Sequence, residues 1–292
     1  MRELTAELLG GPACALGEGP GWDAGRGELS WIDIPAGELH LGTFEAGALT
    51  HTTTIKVGRS VGAVVPRAGG GWLAAAGPGF TAIDRDGTVT ALAEVGSAVP
   101  GTRMNDAKCD PAGRFWAGST HEREAAAGSL YRVDLDGKVT SFRSGIGVSN
   151  GIGWSPDGTL MYYVDSPICS FEVYDYDVAT GTPSNPRQVT KLDGPPPVPD
   201  GLTVDDEGCI WVAFWDGGQV RRYTPSGEVD MVVNVPVART TCCTFGGPGG
   251  GTLFITTAQT HGRDEPYAGQ VFACEPGVSG PQTVAFAGEL PR

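Results

Sequence analysis

One short pattern recurs six times along the 292 residues and sets what the chain can fold into: a turn rich in Asp, Pro and Gly, then a brief apolar run with aromatic residues. The copies are 22–33 (WDAGRGELSWID), 66–76 (PRAGGGWLAAA), 110–120 (DPAGRFWAGST), 155–166 (SPDGTLMYYVDS), 205–215 (DDEGCIWVAFW) and 247–258 (GPGGGTLFITTA). Their starts lie 44, 44, 45, 50 and 42 residues apart. That period suits a four-stranded propeller blade. Between the copies lie further short runs rich in Val, Thr, Tyr and Phe with their own turns, such as 83–89 (IDRDGTV) and 133–139 (VDLDGKV). No segment keeps a 3.6-residue apolar period over three turns, so little helix is expected. The expectation is an all-β, six-bladed β-propeller forming one domain over 1–292, since a β-sandwich would not require such even spacing.

The 46 glycines and 22 prolines fall at intervals and punctuate turns. A formal charge of −14, with no compact Lys/Arg cluster, opposes phosphate backbones and anionic lipid headgroups. Nucleic acid and membrane surfaces are therefore excluded as partners. Residues 1–9 (MRELTAELL) lack the layout of a signal peptide, and no run of 18 apolar residues occurs, so a soluble, cytoplasmic protein is expected. The seven cysteines are odd in number and contain no Cys-x-x-Cys pair, which suggests buried thiols rather than a disulfide framework or zinc knuckle. Cys242 and Cys243 are adjacent, and a bond between neighbours would need unusual backbone geometry.

The strand before each repeated turn is the innermost of its blade, so its side chains alternate between the central channel and the neighbouring blade. Counting back five residues from the turn gives Glu18, Asn105, Asn150 and Asp200 in four blades, and Val61 and Cys242 in blades two and six. Asn-Gly and Asp-Gly pairs are usually hairpin turns. Four coincident repeat positions instead point four oxygen donors at one axis. Two facing anions are costly to bury without a cation, and a hard divalent ion resolves that cost while leaving room for water and substrate. Arg103, two residues before Asn105, projects to the same face, where it serves a polar substrate or pairs with Glu122 or Glu124.

Two other motifs carry no chemistry. Residues 58–62 spell Gly-x-Ser-x-Gly, but a nucleophile elbow needs a strand, a tight turn and a helix. His121-Glu122 lacks the second His four residues on that a zincin requires, and with histidines scattered at 40, 51, 121 and 261 a His-based zinc site is not expected.

Over essentially its whole length the chain resembles the SMP-30/gluconolactonase/luciferin-regenerating family. The resemblance is carried by 17–20 (GEGP) with Trp22, by 103–106 (RMND) with 110–114 (DPAGR), by 149–151 (SNG), by 199–201 (PDG) and by 242–247 (CCTFGG). It implies a propeller lactonase that opens a small sugar lactone with metal-activated water. It further implies Glu18, Asn150 and Asp200 as metal ligands, Asp200 as base, and Arg103 and Asn105 as substrate contacts. The family's sugar-holding Glu follows the strand at Gly118; here the favoured register of 121–124 (HERE) puts Arg123 at that place, a departure from the family pattern, and Glu122 is the residue named for the role. The implied cofactor is one divalent ion, Ca²⁺, Zn²⁺, Mn²⁺, Mg²⁺ or Fe²⁺, and the implied partner a small-molecule lactone. The rival expectations are a phosphotriesterase-like hydrolase on the same propeller and a non-catalytic, protein-binding propeller with a structural ion.

Overall fold

A computed structural model of the protein describes residues 1–96, 99–192, 196–260 and 262–291. Among these, the strands form six sheets, and the only helical pieces are two 3₁₀ turns, Ser166–Ile168 and Pro248–Gly250. The expected propeller is what the chain builds. Its innermost strands are Gly17–Asp23, Val61–Pro66, Thr102–Cys109, Ser149–Trp154, Val198–Val204 and Thr240–Gly246, one per blade in chain order. No helix among the described residues is long and apolar enough to cross a membrane.

The repeated turns form because their first side chain replaces strand hydrogen bonds locally. Asp110 Oδ1 accepts the backbone N–H groups of Ala112 and Arg114, each at 2.9 Å, and Asp205 Oδ1 does the same for Glu207 at 3.0 Å and Cys209 at 2.9 Å. The glycine of each such turn, Gly113 or Gly208, has φ of +84° or +83°, which a side chain would strain.

The apolar runs that follow the turns supply the glue between blades. Six buried hydrophobic clusters occupy the six seams between neighbouring blades, with Trp116 against Trp154 and Tyr163 between blades three and four, and Trp211 against Phe245 between five and six. Each such side chain contributes about 1.5–3 kcal/mol by leaving water. The seam between blades six and one holds Trp22 stacked on Phe254 at 5.6 Å, beside Trp31.

Both chain ends help close the ring. Glu7–Gly10 completes blade six as its outermost strand, while Arg2–Thr5 adds a parallel fifth strand to blade five. After its last strand, Val271–Cys274, the chain runs as a strap across the face that carries the repeated turns. It meets blade five where Asp206 N–H reaches the Ser279 carbonyl (2.9 Å), blade six at Gly250, and blade one where Trp22 N–H reaches Thr283 Oγ1 (3.0 Å). It then reaches blade two at Pro66 and Ala68 through Phe286, and blade three at Gly113 through Ala287.

Candidate functional site

Every innermost strand breaks its pairing register at one place, where two consecutive residues face a single residue of the next strand. The pairs are Glu18-Gly19, Val61-Gly62, Asn105-Asp106, Asn150-Gly151, Asp200-Gly201 and Thr241-Cys242. Such a bulge bends the strand and re-aims a side chain. The Asn-Gly and Asp-Gly pairs are thus bulges within strands, not hairpin turns. In blade six the bulge puts Thr241, rather than Cys242, at the position equivalent to Asp200, because the last turn begins one residue early. Thr241 Oγ1 donates to the Gly17 carbonyl at 2.6 Å across the closing seam.

The second residue of each pair is where adjacent innermost strands touch. A Cβ on Gly62 would lie 2.4 Å from the Asn105 carbonyl oxygen, and one on Gly151 would lie 2.8 Å from that of Asp200. Only glycine fits such an approach. The two exceptions in this ring, Asp106 and Cys242, line a cavity of about 270 Å³ on the strap side, together with Lys108, Trp154 and Thr283. Lys108 Nζ donates to the Leu202 carbonyl at 2.8 Å, a link from blade three to blade five.

Glu18, Asn105, Asn150 and Asp200 are each 6–7% exposed. Arg103 Nη1 donates to Asn105 Oδ1 at 2.7 Å, and Asn105 Nδ2 donates to Asn150 Oδ1 at 2.7 Å and to the Ser149 carbonyl at 2.8 Å. Asn150 Nδ2 donates to Ser166 Oγ at 2.7 Å, and that hydroxyl donates to the Pro199 carbonyl, next to Asp200, also at 2.7 Å. One polar chain therefore joins blades three, four and five. Tyr163 OH backs it by donating to Ser149 Oγ at 2.7 Å.

Burial pushes the Glu18 carboxyl well above the usual carboxylate range, and the charges of Asp200 and Asp106 push it further. Asp200 is raised by burial and by Asp106, and drawn back partly by Arg103. Asp106 is raised by burial against the pull of Lys108. The Arg103 guanidinium is lowered by burial and held up by Glu18, Glu122 and Asp200. Of the two acidic candidates for Arg103, Glu122 is the one whose charge reaches it. Glu122 and Glu124 are both exposed, and the segment is turned back by His121, whose Nδ1 accepts the Glu124 N–H at 2.7 Å.

Among the described residues no three His, Cys, Asp or Glu side chains gather at ligating separation. Ser60 of the Gly-x-Ser-x-Gly stretch precedes the strand Val61–Pro66 in blade two, with no helix after it. His261 lies outside the described residues. Cys242 and Cys243 are both buried, free thiols. Sequence reasoning missed Ser166, Asp106 and Thr241. The bulge register, visible only with pairing partners assigned, is the signal that finds Asp106 and Thr241, whereas Ser166 emerges only from its tertiary hydrogen bond to Asn150.

Comparison with known proteins gives this geometry a context. The chain is 36% identical to regucalcin of Oryctolagus cuniculus, over 99% of this chain and all of the other. It is 35% identical to YvrE of Bacillus subtilis (strain 168), provisionally named a sugar lactone lactonase, over 98% of this chain and all of that one. Its fold superposes on the solved structure of a calcium-binding protein, regucalcin, from Agrobacterium tumefaciens str. C58, with a TM-score of 0.91 and 31% identity over 98% of each chain. Residues 16–259 match the model of the SMP-30/Gluconolactonase/LRE-like region, and the chain belongs to that family.

Proposed function

We propose that the protein hydrolyses a small sugar lactone, with one divalent ion held by Glu18, Asn150 and Asp200 at the channel axis. The observation that carries this reading is a pair of buried carboxyls from blades one and five, each raised by burial and by nearby acid charge, on the same bulge ring as the Asn150 amide oxygen. An all-oxygen donor set suits a hard cation. Two carboxylates and an amide oxygen fit Ca²⁺ well, in keeping with the name of the calcium-binding relative. The name given to YvrE supports the lactone as substrate class.

Held by Glu18, Asn150 and Asp200, such an ion would supply Lewis-acid polarisation of a carbonyl oxygen. The residues of the chain supply the rest. Asp200 accepts the proton of the attacking water and returns it to the departing ring oxygen. Arg103 and Asn105, fixed to each other, orient the ring hydroxyls and so contribute positioning. Glu122, at the rim beside Arg103, holds a sugar hydroxyl as an acceptor.

The deciding experiment follows proton release from D-glucono-1,5-lactone on chelated protein, before and after adding back Ca²⁺, Mg²⁺, Mn²⁺, Zn²⁺ or Fe²⁺. Activity lost on chelation and restored by an ion, but not in Asp200→Asn, is the expected result. Undiminished activity in the chelated protein, or faster turnover of an organophosphate triester than of the lactone, overturns the reading.

A further inference from the structure

The amide of Asn150 has one end that can serve a cation, its oxygen, and one that cannot. Its neighbours decide which end faces which way. The Ser149 carbonyl can only accept, so the Asn105 atom 2.8 Å from it is nitrogen. That nitrogen lies 2.7 Å from Asn150, so the Asn150 atom there is oxygen. On the far side, Ser166 Oγ lies 2.7 Å from the Pro199 carbonyl, which again only accepts, and the hydroxyl proton is used there. Ser166 Oγ must then accept the 2.7 Å bond from Asn150, and the Asn150 atom at that end is nitrogen. Ser166 is 8% exposed and opens the 3₁₀ turn Ser166–Ile168. No solvent competes freely for this hydroxyl.

We propose that Ser166 is a positioning residue: its hydroxyl holds the Asn150 amide with oxygen towards the divalent ion and ties that amide to the strand carrying Asp200. This inference rests on the reading of Glu18, Asn150 and Asp200 as ion ligands. Without the hydroxyl, a buried NH₂ group loses its acceptor and the amide is restrained from the Asn105 side alone. Partners that orient a metal ligand typically govern about 10–100-fold in affinity.

The test is Mn²⁺ affinity by isothermal titration calorimetry on the chelated full chain, with melting of each metal-free variant as a check of fold. Ser166→Ala is expected to weaken Mn²⁺ binding about 10-fold or more. A carboxylate carries oxygen on both arms, so in an Asn150→Asp background the same change is expected to cost less than about 3-fold. A purely packing role for Ser166 would weaken binding equally in both backgrounds, and that result overturns the proposal, as does undiminished affinity in Ser166→Ala. Should Ser166→Ala not fold, Ser166→Cys, close in size and a weaker donor, carries the same comparison. The underlying reading fails separately if the wild-type chain binds no Mn²⁺, or if Glu18→Gln and Asp200→Asn bind it as tightly as wild type.

Discussion

Arg103 Nη1 sits 2.7 Å from Asn105 Oδ1 and 3.1 Å from the Met104 carbonyl, so one guanidinium arm fixes both the side chain and the backbone of the third bulge. Among the described residues Arg103 makes no close ion pair, although Glu18, Glu122 and Asp200 all hold its charge. Its place is set by hydrogen-bond geometry more than by charge pairing.

Arg103→Lys keeps the charge and loses the planar fork. Turnover of D-glucono-1,5-lactone, measured as kcat/KM, is expected to fall about 10–100-fold through lost orientation of the ring. The melting temperature should hold within about 2 °C, because a half-buried side chain with two local bonds contributes little to folding. An unchanged kcat/KM would remove Arg103 from the substrate site.

The close approach at the ring makes a second prediction. A Cβ on Gly201 would lie 2.3 Å from Cys242 Sγ and 2.6 Å from its Cβ. Gly201→Ala is expected to lower stability by about 1–3 kcal/mol through overpacking, read from urea denaturation. Gly69→Ala is the control, since a Cβ there meets nothing within 4 Å, and it should shift stability by no more than about 0.5 kcal/mol. Equal effects would mean that the innermost strands do not press on one another as described.

The sequence was most legible where each blade repeats the same physics. The spacing of Asp110 and Asp205 ahead of their glycines marks turns that the side chain itself closes, and the aromatic runs after them mark the seams. Glu18, Asn105, Asn150 and Asp200 were legible together because a single register serves four blades. The count failed in blade six, where the turn begins early and Thr241 rather than Cys242 takes the shared position. Ser166 was not legible as a partner of Asn150, since sixteen residues and a 3₁₀ turn separate them and only tertiary pairing joins them. The strap escaped altogether, because its bonds reach five blades without any periodic pattern of its own.

A pH dependence of stability follows from blade one. The His40 ring is 2% exposed, packs 5.5 Å from Trp31, and shares Thr54 Oγ1 with His51 through 3.0 Å contacts. Burial lowers its pKa and the charge of His51 lowers it further, while Glu38 and Asp33 act in the opposite sense. A histidine whose folded pKa lies below its unfolded value of about 6.5 binds fewer protons when folded. Its contribution to stability is then complete above the unfolded pKa and is lost as pH falls through it towards the folded pKa. Urea midpoints of wild type should therefore drop between pH 7.5 and 5.5, and His40→Gln should show a smaller drop. Parallel curves for the two proteins would assign the pH dependence elsewhere.

The strap leads to the last prediction. Phe286 is 1% exposed and packs in the seam of blades two and three with Phe115, while its backbone bonds the Pro66 carbonyl and the Ala68 N–H, both on blade two. It is the point at which a chain crossing from blade five through blades six and one is pinned on the far side of the closing seam. Phe286→Ala should cost about 3–5 kcal/mol, the range for emptying a buried aromatic site. If the strap acts as a brace, the loss should reach beyond blade two: amide hydrogen exchange should speed up in 279–290 and at Trp22, whose N–H rests on Thr283 Oγ1. Exchange confined to the neighbourhood of Phe286 would instead mean that each blade holds its stretch of the strap independently. The cavity beneath the ring of bulges distinguishes the two cases again, because Thr283 and Val284 line it. Loosening the strap as a whole should expose Cys242 to small thiol reagents, whereas a local defect should leave that thiol as buried as before.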